Sequence, residues 1–386
     1  MALRYLGELA EVAQFKKQMN GTLTMKSTGA KIGIIGCGSI GHVHARHAQH
    51  AGLDIAAVWD IKPEAAAKMV CEVPSAQVMP SVEALLAQRD IAGVIIAVPN
   101  DLHMPLAVQS VQAGKHVLLE KPMALSAAQC DDIISASDKA KKHVQMGFVC
   151  RQLPTVATAK KLMHAGTFGP LYHIKASTYR RRGVPGLGGW FTNKAHSGGG
   201  PLIDLGVHII DASLWLADFP KVLRVSGAIY ANFGCQMHNY THVSMWAGPP
   251  KFDGVCDVED HASALLRCEG GLTIEVNTTW AMNVPDGILP DGVILMGQKA
   301  GCHIGLQAKS LTLATESHGM PADLEPHFAA EEPLQQAWNA QATAFASLLQ
   351  NGTHPIATAH EGRQVQSVID AIYESAKVGH EVEVRT

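Results

Sequence analysis

The 386-residue sequence has no strong charge bias, no paired-cysteine motif and no long apolar run. Its 31 Lys and Arg against 34 Asp and Glu give a formal net charge of −3, which excludes a protein that holds nucleic acid by phosphate attraction. The eight cysteines are scattered and include no C-x-x-C. That excludes a disulfide scaffold and predicts reduced thiols in a cytoplasmic protein. No segment approaches the roughly 18 to 20 apolar residues of a membrane helix. Glu8 and Glu11 interrupt what would otherwise read as a secretory signal. The 20 histidines include no H-E-x-x-H, so no metal site is predicted from spacing. A chain this long, 47% hydrophobic, can bury the cores of two or three domains.

Three parts follow one another. Residues 1–29 form an N-terminal extension or arm, with Leu3, Leu6, Leu9 and Val12 at near-helical spacing. Residues 30–150 alternate short apolar strands (IGIIG, DIAAVWD, GVIIAVP, HVLLEKP) with helical stretches. This alternation predicts a doubly wound parallel α/β domain of Rossmann type, both faces covered. Residues 151–386 lose that rhythm. Segments 170–180, 222–233, 259–268, 271–280 and 292–297 read as strands of a large, mostly antiparallel sheet. Helices at 201–216, 333–350 and 359–379 complete an α+β domain.

Gly36-Cys37-Gly38-Ser39-Ile40-Gly41 is a G-x-G-x-x-G between a strand and a helix, the setting a dinucleotide site requires. The glycines allow a tight turn and close backbone approach, and the helix N-terminus faces the pyrophosphate. Asp60 ends the second strand, where a carboxylate can bind the adenosine ribose; this favours NAD over NADP. AVPN and LLEKP end two further parallel strands at the same crevice. They bring Pro99, Asn100, Glu120 and Lys121, with His103 just beyond, to the cofactor; helix capping by Asn100 or Asp101 is the alternative.

In SGGGPLIDLGVHIIDASLWLADFP, Asp204, His208 and Asp211 make a polar stripe at i, i+4 and i+7 on an otherwise apolar helix. Such groups need partners or a cavity. A catalytic pair, a metal site and an internal hydrogen-bond network all satisfy that need. Lys121, at a buried strand end before Pro122, can donate to a substrate hydroxyl near a cofactor; a lysine reaching solvent past the strand end is the alternative. Arg180, Arg181 and Arg182 lead into a Gly-rich loop holding Trp190; contact with polyol hydroxyls and the nicotinamide side and a plain solvated basic run fit this pattern equally.

These motifs, in order, resemble the glucose-fructose oxidoreductase / inositol dehydrogenase / rhizopine-catabolism (Gfo/Idh/MocA) family: IGIIGCGSIG, AVPNDLH, LLEKPMALS, VQMGFVCRQLP, GGGPLIDLGVHIIDASLWL, VEDHASALLRCEGGLTIEVNTTW and AIYESAKVGHEVEV. The resemblance spans about residues 31–386 and implies NAD(P)-dependent oxidation of a sugar, glycoside or cyclic polyol. It makes Lys121, Asp204 and His208 the catalytic residues. His208 takes the hydroxyl proton, Lys121 binds the developing alkoxide and Asp204 steadies the imidazole. It also implies a cis Lys121–Pro122 bond, closure of the site by the Trp190 loop, substrate contacts from Arg151 and Arg180, and a homodimer or homotetramer built through the C-terminal sheet. His261 departs from the usual bulky apolar residue and is placed at the substrate pocket or the oligomer interface. Two other functions fit parts of the pattern: an NAD-retaining glycoside hydrolase working by transient oxidation, elimination, hydration and reduction, and a non-catalytic NAD-binding regulator. Retention of Lys121, Asp204 and His208 argues against the regulator.

Overall fold

The computed structural model describes residues 29–241, 243, 247–306, 310–328 and 332–385. The helix expected within residues 1–29 lies outside that set. The first part contains β1 (Lys31–Ile35), α1 (Ser39–His50), β2 (Asp54–Trp59), α2 (Pro63–Glu72), β3 (Gln77–Val78) and α3 (Val82–Leu86). It continues with β4 (Ile91–Ile96), α4 (His103–Gln112), β5 (His116–Leu119), α5 (Ala127–Ala140) and β6 (Val144–Met146). All six strands are parallel, in the order β3-β2-β1-β4-β5-β6. The sequence predicted this doubly wound sheet, because near-continuous apolar strands need helices on both faces. The reversal of strand order beside β1 opens a crevice at the carboxyl ends.

The second part runs α6 (Pro154–His164), β7 (Leu171–Tyr179), α7 (Lys194–Ser197), a π turn (Leu202–Gly206) and α8 (Val207–Leu216). Then come β8 (Val222–Tyr230), β9 (His261–Cys268), β10 (Thr273–Thr279), β11 (Gly292–Gly297), β12 (Gly301–Ile304), β13 (Leu311–Ser317) and β14 (Met320–Leu324). Helices α9 (Pro333–Asn351) and α10 (Ala359–Val378) and strand β15 (Val382–Glu383) close the chain. The nine-stranded sheet is ordered β14-β13-β12-β11-β7-β10-β9-β8-β15, antiparallel except where β7 and β10 run together. Strands β12 to β15 and helix α6 have no counterpart in the sequence reading.

One late helix crosses back. Ala342, Phe345, Ala346 and Leu348 of α9 are buried with Ile32, Ile95 and Leu118 of the parallel sheet. The first core is therefore completed by residues about 200 positions beyond its last strand, which ties the two parts into one frame. Helix α10 starts with a full capping box, Thr358 with Glu361, and ends at Gly379 in the left-handed region. Among the described residues, no helix is long and apolar enough to cross a membrane.

Candidate active site

Between β1 and α1 the chain turns where only glycines fit. Gly36 has φ +98°, and a Cβ there would lie 2.3 Å from the Ala97 carbonyl oxygen; one at Gly41 would lie 2.1 Å from that of Gly36. Gly38, by contrast, faces open space. No side chain caps α1, so the N–H groups at Ser39 and Ile40 belong to a bare helix start suited to an anion. Asp60, just past β2, accepts the Cys37 N–H at 2.7 Å and the Lys62 N–H at 2.8 Å. The turn is thereby pinned to the residue expected to bind ribose. An open glycine, a free helix start and a strand-end carboxylate are the donor set a dinucleotide needs.

Two residues expected at the cofactor are turned into the protein frame. Asn100, next to Pro99 in the β4–α4 turn, is buried, and its amide donates to the carbonyl of Ser197, the last residue of α7, at 2.8 Å; it is not the N-cap of α4, which follows Leu102. The buried His103 ring lies 2.6 Å from the Pro122 carbonyl oxygen and 3.0 Å from that of Val98, bracing the cis Lys121–Pro122 bond. Burial holds its imidazole below its ordinary value.

The chemical centre forms where β5, the π turn and the end of β10 meet. Lys121 donates from Nζ to the Asp204 main-chain oxygen at 2.9 Å and to Asp204 Oδ1 at 3.1 Å. Trp280 Nε1–H donates to Asp204 Oδ2 at 3.1 Å. Burial pushes the Asp204 carboxyl up, but the charges of Lys121 and Arg180 and the two hydrogen bonds outweigh it and hold the group below its usual range. His208 Nδ1 faces Cys150 Sγ at 3.6 Å. Burial first, then the Lys121 charge, push His208 down to about 3 against the pull of Asp204 and Glu120; the imidazole is neutral at physiological pH. Burial likewise pushes the Cys150 thiol up to about 12.

The Asp204 carboxylate, in the π turn Leu202–Gly206, takes its hydrogen bonds from Lys121 and Trp280, so its effect on His208 is through charge. Glu120 sits behind Lys121, taking the Lys121 N–H at 3.2 Å and meeting His44 Nε2 of α1 at 2.8 Å. Trp280, Cys150 and His44 were missed by the sequence reading. A tryptophan just after the alternating strand TIEVNTT was the available signal for the first.

Arg151 is also a correction. It is 1% exposed and forms a bidentate pair with Asp211, at 2.6 and 3.0 Å, with Glu361 at 3.1 Å. Its guanidinium lies among the Phe148, Trp215 and Phe219 rings; it cannot reach substrate. Arg180 remains in the site. Its stem folds over Gly183, and its charge acts on both Asp204 and His208. Arg181 is exposed, while Arg182 is tied to the Met282 carbonyl and Asn283. Trp190 is partly exposed and stacks on Phe191 at 3.9 Å. Its loop is stitched to the segment ending at Asp257 through Lys251 N–H to Leu187 O, Asp257 N–H to Thr192 O and Thr192 Oγ1 to Val255 O. The His261 ring lies against Tyr230, 5.3 Å between centroids.

A glycine-turn dinucleotide site and a Lys–Asp–His centre on a second, mostly antiparallel domain together define an NAD-binding oxidoreductase. Residues 30–148 match the model described as "Oxidoreductase family, NAD-binding Rossmann fold", and residues 156–302 match the "GFO/IDH/MocA C-terminal domain". The chain belongs to the Gfo/Idh/MocA oxidoreductase family. It is 28% identical over 362 residues to D-glucoside 3-dehydrogenase of Escherichia coli, covering 93% of this chain and 99% of the relative. It is 26% identical over 355 residues to inositol 2-dehydrogenase 2 of Saccharopolyspora erythraea, covering 90% and 93%. A solved levoglucosan dehydrogenase in complex with NADH and levoglucosan shares the fold, with TM-score 0.81, 20% identity and coverage of 92% and 100%.

Proposed function

We propose that the protein oxidises a secondary hydroxyl of a sugar, glycoside or cyclic polyol, with NAD⁺ as acceptor. One observation carries the reading: a Lys121 ammonium with one uncommitted proton stands beside a neutral His208, at the carboxyl edge of the sheet that carries the Gly36–Gly41 turn. NAD bound along Gly36, Gly38, Ser39, Ile40, Gly41 and Asp60 supplies the hydride acceptor. His208 takes the hydroxyl proton on Nε2, the ring nitrogen opposite the one facing Cys150. Lys121 has three donors and gives two to Asp204; the third stabilises the oxygen as negative charge develops on it. Asp204 anchors Lys121, and Arg180 binds neighbouring hydroxyls of the ring. Trp190 and its stitched loop cover the cofactor side and limit water.

The glucoside and inositol dehydrogenases among the relatives support this substrate class, and the NAD-retaining hydrolase finds no support among them. Exposure of Leu223, Ile229 and Tyr230 on strand β8 supports assembly of two or four copies through the nine-stranded sheet. The deciding experiment offers NAD⁺ with inositols, free sugars and aryl glycosides while following NADH and aglycone together. The proposal expects net NADH with at least one polyol or sugar. Aglycone release with retained cofactor and no net NADH would overturn it.

A further inference from the structure

We infer that Trp280 is a positioning residue, whose indole N–H fixes the Asp204 carboxylate so that Asp204 holds the Lys121 ammonium at the reaction centre. The inference rests on the oxidoreductase reading of that centre and adds a residue to it. Asp204 has two carboxylate oxygens and two donors: Lys121 Nζ on Oδ1 and Trp280 Nε1 on Oδ2, each at 3.1 Å. The Asp204 side chain is only 10% exposed, so a lost donor is poorly replaced by water.

Packing alone does not call for tryptophan here. Trp280 is 1% exposed among Val184, Leu187, Leu205, Tyr240 and Val258, a setting that phenylalanine would also satisfy. What the indole adds is one donor, aimed at the carboxylate that holds the Lys121 ammonium. A buried Trp N–H ordinarily needs a partner, and this one is a catalytic-site carboxylate rather than a backbone carbonyl.

The mounting is rigid on one side and adjustable on the other. The Trp280 main chain is held from both directions, its N–H donating to the Asp260 carbonyl at 2.9 Å and its carbonyl accepting the Gly183 N–H at 2.7 Å. Asp204 instead sits within the π turn Leu202–Gly206, a short, uncommon helical geometry. The indole thus ties an irregular turn to the sheet. A carboxylate freed from it can rotate, and Lys121 then loses its side-chain anchor.

The test is Trp280→Phe, which keeps the aromatic ring and removes the N–H. On the sugar or polyol that gives NADH, kcat falls about tenfold with KM within about twofold, since the substrate contacts are unchanged. The acid limb of kcat moves to higher pH, because the carboxylate loses a bond that favours its charged form. The other charged or titratable groups that act on or face this carboxylate or His208, namely Lys121, Arg180, His208, Glu120 and Cys150, are untouched. Wild-type kcat with an unmoved acid limb in Trp280→Phe would overturn the inference. A direct readout needs no activity: with ¹⁵N-indole labelling, one of the six tryptophan side-chain resonances should be absent in Trp280→Phe and shifted in Asp204→Asn. No indole resonance responding to Asp204→Asn would also overturn it. Absence of NADH with every substrate would sink the oxidoreductase reading while leaving this resonance test intact.

Discussion

Asp204 and Asp211 lie seven residues apart on one helical segment, yet they serve opposite ends. Asp204 opens toward the cleft, with a lysine that is 19% exposed and an indole as partners. Asp211 is fully buried against Arg151, both side chains 1% exposed. Burial pushes the Asp211 carboxyl up to about 6 although Arg151 opposes it, whereas Asp204 is held below its usual range. A charge in the core is tolerated only when it is paired and hydrogen-bonded, and the Arg151 guanidinium spends its Nε–H, Nη1 and Nη2 groups on Asp211, Glu361 and the Ile356 carbonyl. A charge at the cleft keeps a partner with a proton to spare. What separates chemistry from structure here is the unfilled valence beside the carboxylate, not the carboxylate itself.

The largest effect should come from breaking the buried pair. Arg151→Met leaves Asp211 without its guanidinium and should cost about 3–5 kcal/mol in denaturant unfolding; a loss below about 1 kcal/mol would mean that the pair is not the structural element described. Next is the cleft. His208→Ala should lower kcat by about 10² to 10⁴ with unfolding nearly unchanged, read by NADH formation on the best substrate.

A smaller change is expected at the cofactor end. Asp60→Asn removes the negative charge beside the ribose position and should weaken NAD binding by roughly tenfold while narrowing the preference over NADP, measured by fluorescence titration with both nucleotides. The smallest lies outside both regions. Burial and the Lys142 charge push His116 down to about 4, from an ordinary 6.5. The unfolded chain therefore takes up this proton first as pH falls. The stability from the neutral ring is complete above about 6.5 and is lost between there and about 4. His116→Gln should flatten the acid side of the stability–pH curve slightly, and an unchanged curve would assign that slope to other groups.

The sequence made some of this legible and hid the rest for definite reasons. Gly36, Gly38 and Gly41 after an apolar strand were readable, because a tight phosphate turn needs those residues at that spacing. Lys121 and His208 stood out as polar groups in apolar settings. Arg151 and Asp211 are just as unusual but face each other across 60 residues, and no local pattern tells a substrate arginine from a paired one. The pairing of Asp204 with Lys121 spans 83 residues, and an i, i+4 count carries no mark of so distant a partner. Asn100 and His103 were placed on the correct loop, but their side chains turn inward to Ser197, Val98 and Pro122. Strands β12, β14 and β15 were missed because they are brief, β14 and β15 being mostly exposed as well, and the seven-residue β13 because its second half, Ala314–Ser317, is mostly polar and largely exposed.

The most direct test sets Asp204→Asn beside Asp211→Asn, measuring kcat/KM per folded molecule and unfolding free energy for each. The account predicts that Asp204→Asn loses at least about 10² in turnover with unfolding within about 1 kcal/mol of wild type. It predicts that Asp211→Asn loses several kcal/mol of stability and keeps near-normal turnover in whatever remains folded. If the two variants exchanged these effects, or lost both properties to the same degree, the separation of a working carboxylate from a structural one on this helix would be wrong.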